Sequence, residues 1–417
     1  MKKRLVLKPY HVITFILFWT IISNTLIDEF EFNPAIRYLN DIAWVILLLF
    51  ILKCNLFSWF KKYNLKSILF AIWLLVGICL FSAMINWVNP LLLLWAIRNT
   101  FRFFVFYIAC VLYLNADDVD RIFDVFLVIQ IVSFFIALYQ YFELELYMDT
   151  LGGIFGHGNG GALNTFQAML VAYFMFGYLQ KKQPIYKLAI TLVTAVIIAA
   201  MAEEKAFFVY VCVIVVGGIV ISKPSMRTIF LIFGSVIMIP IGFHILVTIN
   251  GEDSLKVLLD YETSVKYMDE AYELSRLNPF SQINEMIFKD DIIKNIFGIG
   301  FGGAESIGST ELLTSDFYEK YSYLNYYSFT HQKKFVETGY LGFGAFIAFF
   351  VFNIVASLRG YIGSMHRDYR LGSSACFGMI AILSCWFSGA LIFNDAYLIF
   401  FGVAVGNIII KSSTSNG

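Results

Sequence analysis

Residues 91–114 read LLLLWAIRNTFRFFVFYIACVLYL. Charge interrupts the run only at Arg98 and Arg102, and the stretch exceeds the about 20 apolar residues that a helix needs to cross a hydrocarbon core of about 30 Å. A strand of a transmembrane barrel would alternate apolar and polar residues over about ten positions. This run does not alternate, so it predicts a membrane helix. The rest of the chain repeats the pattern: of 417 residues, 59% are hydrophobic and only 14% charged, where soluble proteins carry about 25% charged residues. An ordinary soluble globule is excluded, and there is room for about a dozen spans.

Similar runs near 11–27, 39–53, 67–86, 122–142, 163–179, 187–202, 206–221, 228–248, 336–357, 372–390 and 392–409 predict an all-α polytopic membrane protein with about 12 transmembrane helices. The first window, MKKRLVLKPYHVITFILFWTIISNTLI, starts basic but lacks a small-residue cleavage site, and reads as an uncleaved first helix. Lys2, Lys3, Arg4, Lys61, Lys62, Lys181, Lys182, Lys223, Arg227, Arg359, Arg367 and Arg370 fall in segments on one side, whereas the short segments on the other carry only Arg37 and Lys205. The positive-inside rule therefore places both termini in the cytoplasm. On this reading residues 1–248 hold helices 1–9, residues 249–333 form a large external cap, and residues 334–417 hold helices 10–12 and a cytoplasmic tail. The cap has 14 acidic and seven basic residues, helix-like apolar spacing, the glycine-rich GIGFGG at 298–303 and a tyrosine-rich stretch. It is too long for an ordinary connector, which suggests an ordered structure with a task.

Charge balances at 30 basic and 30 acidic residues, so nothing in it argues for nucleic acid as a partner. The six cysteines form no CxxC pair and none lies in the cap, which supports neither a disulfide framework nor a cysteine metal site. HExxH and GxSxG are absent, and Asp290 and Asp291, adjacent in an expected helix, would not face each other. No cofactor or metal is expected.

Several polar residues stand out. Arg98 and Arg102, four apart, share a helix face; each must face a cavity, a partner or headgroups, as a cationic wall for an anionic headgroup or as snorkelling or ion-paired structure. Lys205 opens a helix from the tight hairpin MAEEKAFF and either points at a phosphate or is neutralised by Glu203 and Glu204. LGGIFGHGNGGALNTF, residues 151–166, offers a glycine turn before a helix N-terminus, a geometry that can cradle phosphate, with His157 and Asn159 as contacts; the alternative is a flexible re-entrant turn. His331 sits in YYSFTHQKKFVETGYLGFGAF, where the external loop is expected to meet a helix near the membrane surface, and need not be buried. Its imidazole can take a proton from a sugar hydroxyl. Arg276, in LSRLNPF, can grip a pair of phosphate oxygens. For both residues a structural role is the alternative.

The order of these features resembles the O-antigen polymerase and ligase superfamily over roughly residues 90 to 400. The likeness rests on GGIFGHGNGGALNTF, the basic hairpin EEKAFF, the arginine of LSRLNPF and above all HQKKFVETGYLG, where His331, Glu337, Gly339 and Gly342 match a histidine ahead of a glycine-marked membrane helix. Three positions depart: the family commonly has serine or threonine then arginine where this chain has Glu204 and Lys205, and often asparagine or a similar small polar residue where it has Gln332.

The resemblance implies a GT-C-like helical glycosyltransferase of the bacterial inner membrane whose active site faces the periplasm. Its donor would be an undecaprenyl-diphosphate-linked glycan. The acceptor would be a lipid-linked repeat for a polymerase, the preferred alternative, or lipid A core for a ligase; a chain-length regulator is an implied partner. His331 would be the base and Arg276 the clamp on the leaving diphosphate, with Lys205, Arg98 and Arg102 as further diphosphate contacts and His157, Asn159 and Glu337 as glycan or phosphate contacts. Transfer would be metal-independent and inverting. A glycan flippase would use similar cations without an external base, and an assembly protein would need neither base nor diphosphate clamp.

Overall fold

The computed structural model describes residues 8–222, 225–230, 232–234, 240, 244, 247–248, 274–276, 278–306, 314–363 and 367–415. Every regular element among them is helical. In chain order these are α1 (Pro9–Asp28), α2 (Leu39–Ile51, entered through a 3-10 turn at Pro34–Tyr38), α3 (Leu56–Lys62), α4 (Lys66–Ile85), α5 (Pro90–Tyr113), α6 (Ala116–Phe142), α7 (Gly160–Leu179), α8 (Ile185–Met201), α9 (Lys205–Ile221), α10 (Pro279–Ile283), α11 (Ile292–Phe297), α12 (Asp316–Tyr321), α13 (Thr330–Gly363), α14 (Tyr369–Phe387) and α15 (Ala396–Ser415). Local chemistry sets many of the starts. Proline opens α1, α5 and α10, where its missing N–H is no loss and its φ is already helical. Asn55, Asn89 and Asn115 accept bonds from first-turn amides, and Asn115 with Asp118 forms a reciprocal capping box at α6.

Among the described residues nine helical spans are long and apolar enough to cross a membrane: α1, the run from Pro34 to Ile51, α4, α5, α6, α7, α13, α14 and α15. Two further apolar helices, α8 and α9, have 17 residues each. The protein is thus a multi-pass helical membrane protein. At its centre lies α7, 94% of whose apolar window is buried against 22% for the run ending in α2, which therefore turns most of its surface outward from the described helices. Helices α8, α9 and α14 surround α7, while α13 rests on α14 and α4, and α15 on α5 and α14. Deep between α5, α13 and α15, the Tyr107 hydroxyl donates to Asn353 Oδ1 at 2.6 Å, and Asn407 Nδ2 donates to both at 2.7 and 2.6 Å. Such bonds join helices where lipid supplies no hydrophobic drive for association.

The described part of the cap has a small core of its own, Leu274, Ile283, Ile287, Phe288, Ala304, Leu324 and Tyr326, which closes on Phe335 and Val336 of α13. That docking accompanies the main departure from the sequence reading. The helix expected at 336–357 begins at Thr330 and is broken at Gly339 (φ 61°, ψ −163°), so His331 lies inside a helical segment and is 0% exposed rather than at an open loop edge. Residues 116–121, read as an inner loop, are the capped first turns of α6, and α3 lies in the 54–66 connector. The helices expected at 372–390 and 392–409 run instead from Tyr369 to Phe387 and from Ala396 to Ser415. Much of the helix expected at 228–248, and residues 249–273 of the cap, lie outside the described residues.

Candidate functional site

The first turns of α7, α9 and α13, the end of α14 and the segment 274–276 meet at one end of the bundle. Thr330 binds the Ser388 carbonyl through its hydroxyl at 3.1 Å and its amide at 3.3 Å, and Gly161 leaves room for the Ser388 side chain. His331 Nδ1 lies 2.7 Å from the Cys385 carbonyl oxygen. A carbonyl only accepts, so Nδ1 carries the proton and Nε2 keeps its lone pair. That buried Nε2 has no hydrogen-bond partner. The ring stacks on Trp386 at 5.4 Å, with Phe280 at 6.0 Å and Phe329 at 6.1 Å.

Arg276 lies beside this histidine, close enough for its backbone and its charge to act on the ring. Its guanidinium is 4.6 Å above the Phe329 ring, and its buried Nε has no partner. The neighbouring Gln332 holds the segment, donating from Nε2 to the Leu274 and Ser275 carbonyls at 3.2 and 3.4 Å. The cap segment that bears Arg276 is thereby tied to the helix that bears His331.

Glu204 completes the group. Its Oε2 accepts from Asn164 Nδ2 of α7 at 3.1 Å, and its Oε1 occupies the space left by the missing side chain of Gly160. Burial, reinforced by Asp149, pushes its carboxyl up to about 8, while the Asn164 bond and the Arg276 charge pull the other way. The sequence offers Glu204 only as one of two acids that could neutralise Lys205. Two acids in a three-residue turn between apolar helices were the signal, but only the fold brings Asn164, forty positions away, against one of them.

The remaining candidates are engaged elsewhere. Lys205 pairs with Glu203 at 3.0 Å. Arg98 makes a two-pronged pair with Asp41 of α2 and also donates to Asn99 at 2.7 Å, and Arg102 reaches Asp41 at 3.3 Å; of the readings open for the two arginines, this is the ion-paired geometry. His157 pairs through Nε2 with Glu29 at 2.9 Å, and its amide donates to Asp28 at 2.7 Å. Asn159 donates to the Phe155 and His157 carbonyls. The glycine segment is strapped to α6 by Gln140, which exchanges two hydrogen bonds with Gly153. It is a packed turn with its own polar groups largely satisfied, not an open phosphate nest.

A second group of buried charges occupies the other face of the α13 segment. Lys333 pairs with Glu305 at 2.9 Å, Asn99 donates to the second Glu305 oxygen at 3.1 Å, and Lys334 donates to Thr100 at 2.8 Å. Glu337 is 0% exposed with Lys334 at 3.9 Å. These contacts fasten the loop 298–306 to α5 and α13. The GIGFGG turn fits there because Gly298 lies against the Glu337 carbonyl and Gly339 against the Ile296 carbonyl, with φ of 74° and 61°; a side chain at either would overlap backbone. The E-x-G pattern is therefore the seat of that turn. No family model matches the chain, and no curated protein matches it.

Proposed function

We propose that the protein is a membrane glycosyltransferase that moves a glycan from a polyprenyl diphosphate carrier, undecaprenyl diphosphate in bacteria, to a hydroxyl of a second lipid-linked repeat, and so acts as an O-antigen or exopolysaccharide polymerase. The observation that carries the reading is the His331–Arg276 pair: a tautomer-fixed imidazole with an unused acceptor nitrogen beside a guanidinium with an unused donor. An unsatisfied buried polar atom costs about 1–3 kcal/mol and is kept where chemistry uses it. In this scheme His331 Nε2 takes the proton of the acceptor hydroxyl as that oxygen attacks the anomeric carbon from the face opposite the diphosphate. The bond from carbon to diphosphate oxygen breaks, the electron pair leaves with the diphosphate, and Arg276 offsets the charge. Trp386, Phe280 and Phe329 part to admit the hydroxyl and otherwise exclude water, which favours transfer over hydrolysis.

The wider reading follows from the same resemblance. On this reading α8, α9 and the 228–248 run cross the membrane beside the nine long spans, in a GT-C-like arrangement in the inner membrane with the His331 end facing the periplasm and a chain-length regulator as partner. Ligation to lipid A core is the alternative outcome of the same chemistry.

The test is glycan extension by purified protein with a lipid-linked repeat. His331→Ala and His331→Gln should each lose about 10²–10⁴-fold in turnover at matched folded protein, because glutamine hydrogen-bonds without accepting the proton in the same way. Arg276→Ala should fall further than Arg276→Lys, which keeps the charge but not the fork. Full activity in either histidine variant removes the base, and transfer to lipid A core in place of extension selects the ligase.

A further inference from the structure

A groove of about 240 Å³ lies between α7, α8, α9, Phe230 and Gly234, at the far end of α7 from the His331 cluster. Its walls run from Val171 to Tyr178 on α7, from Ile185 to Val196 on α8 and from Phe208 to Val215 on α9, lengths of about 10–17 Å at about 1.5 Å per residue. That is about half of a hydrocarbon core of about 30 Å, the depth of one leaflet. Apart from Tyr178 the lining is apolar. Val171 and Met175 are buried at its floor, whereas Ile185 and Phe230 are exposed at its edge, so it opens sideways to the surroundings of the bundle. Water in it would find almost no polar partner, and in a membrane the neighbouring phase is hydrocarbon.

A cation stands at the Tyr178 end. Arg227 sets its guanidinium 4.6 Å above the Tyr178 ring and donates from Nη1 to the Tyr178 carbonyl at 2.5 Å. Among the described residues its Nε and Nη2 have no partner, and no carboxylate pairs with it. We propose that the groove holds one acyl chain of an anionic phospholipid whose phosphate sits on Arg227. The Nε–Nη2 edge of this half-buried guanidinium is a fork shaped for two phosphate oxygens, and the groove beside it has the depth of a single chain. A lipid-linked glycan fits less well, because its diphosphate would bind at Arg276, at the Asn164 end of α7 and so about 21 Å along that helix from Tyr178. The charge bias assigns the Arg227 end to the cytoplasm, the side whose leaflet attracts cationic segments through its anionic headgroups. The proposal does not rest on the transferase reading.

The experiment is native mass spectrometry of the full-length protein released from detergent micelles, with dioleoyl phosphatidylglycerol and dioleoyl phosphatidylcholine added at equal concentration. The wild type should retain one phosphatidylglycerol, about tenfold in preference to phosphatidylcholine, whose own cation competes with Arg227 for the phosphate. Arg227→Ala should bring that preference close to one, and Arg227→Lys, which keeps the charge without the fork, should fall between. A side chain at Gly234 would start in open space, so Gly234→Leu fills the groove without displacing a neighbour; it should lower retention of both lipids about tenfold and leave their ratio unchanged. Ala189→Phe, on the exposed part of the α8 wall, should do the same and guards against misfolding of either variant alone. Retention unchanged in both groove-filling variants, or equal retention of the two lipids by the wild type, overturns the proposal. So does capture of undecaprenyl phosphate in preference to phosphatidylglycerol, which would make the groove a seat for the carrier.

Discussion

Arg98 and Arg102 show what single residues reveal before the chain is folded. Their spacing puts them on one helix face, and their cost in hydrocarbon demands a partner, but the partner is Asp41, on another helix and 57 positions from Arg98. No local pattern links them. One carboxylate therefore serves two guanidinium groups, of which Arg102 is the more buried, at 6% exposed. Asp41→Asn should leave two cations facing each other and cost about 3 kcal/mol or more, the range for breaking a buried pair from one side; Arg102→Leu, which leaves Asp41 paired with Arg98, should cost less. Denaturant unfolding in detergent micelles checks the ranking, and a larger loss in Arg102→Leu would show that packing, not charge, governs the site. His331 and Arg276 stand out in the sequence as polar residues beside a membrane boundary, with a structural role as the alternative for both, and the fold sets them side by side; Glu204 reads there only as a counter-charge for Lys205 until Asn164 and Gly160 close around it.

At the scale of elements, apolar runs located most helices to within a few residues because burial and lipid exposure both require them. The starts at 116 and 330 escaped since each opens on polar residues: a capping box in α6 and the His331–Glu337 segment in α13, where Lys333 pairs with Glu305 of the loop and Lys334 with Thr100 of α5, partners that the sequence does not show to be neighbours. Gly339 is the sharpest test of that segment. Its φ and ψ fall in a region essentially restricted to glycine, with the Ile296 carbonyl where a side chain would start. Gly339→Ala should lower stability by about 2 kcal/mol or more and separate the 298–306 loop from α13. Gly344→Ala, in the same helix with open space at its Cβ, should be neutral or slightly stabilising. Thermal unfolding of the two variants side by side decides it, and equal midpoints would mean the break is not held by contact with the loop.

For the whole molecule, the helix α7 is a ruler. Near its start it holds Asn164 at the Glu204 end, while just past its last turn Gln180 and Gln183 donate to Tyr361 and Tyr369 at 3.1 and 3.3 Å, so these two polar clusters lie about 24 Å apart. The positive-inside reading assigns the second cluster to the cytoplasm. Reporters after Lys182 and at Arg367 should then report the cytoplasm, and one within 314–325 the external side; cytoplasmic access to 314–325 would put the His331 cluster on the wrong side for a periplasmic substrate. The break in α13 also bears on how the chain is made. Residues 340–358 contain no charged side chain, whereas His331, Lys333, Lys334 and Glu337 all lie before Gly339. The insertion machinery can therefore release the greasy rod into the bilayer on hydropathy alone, and the charged rod, hinged at one glycine, need never pass through lipid. It can wait in water until α5 and the loop supply Thr100 and Glu305 as its partners, so the His331 end can assemble after the rod is in place.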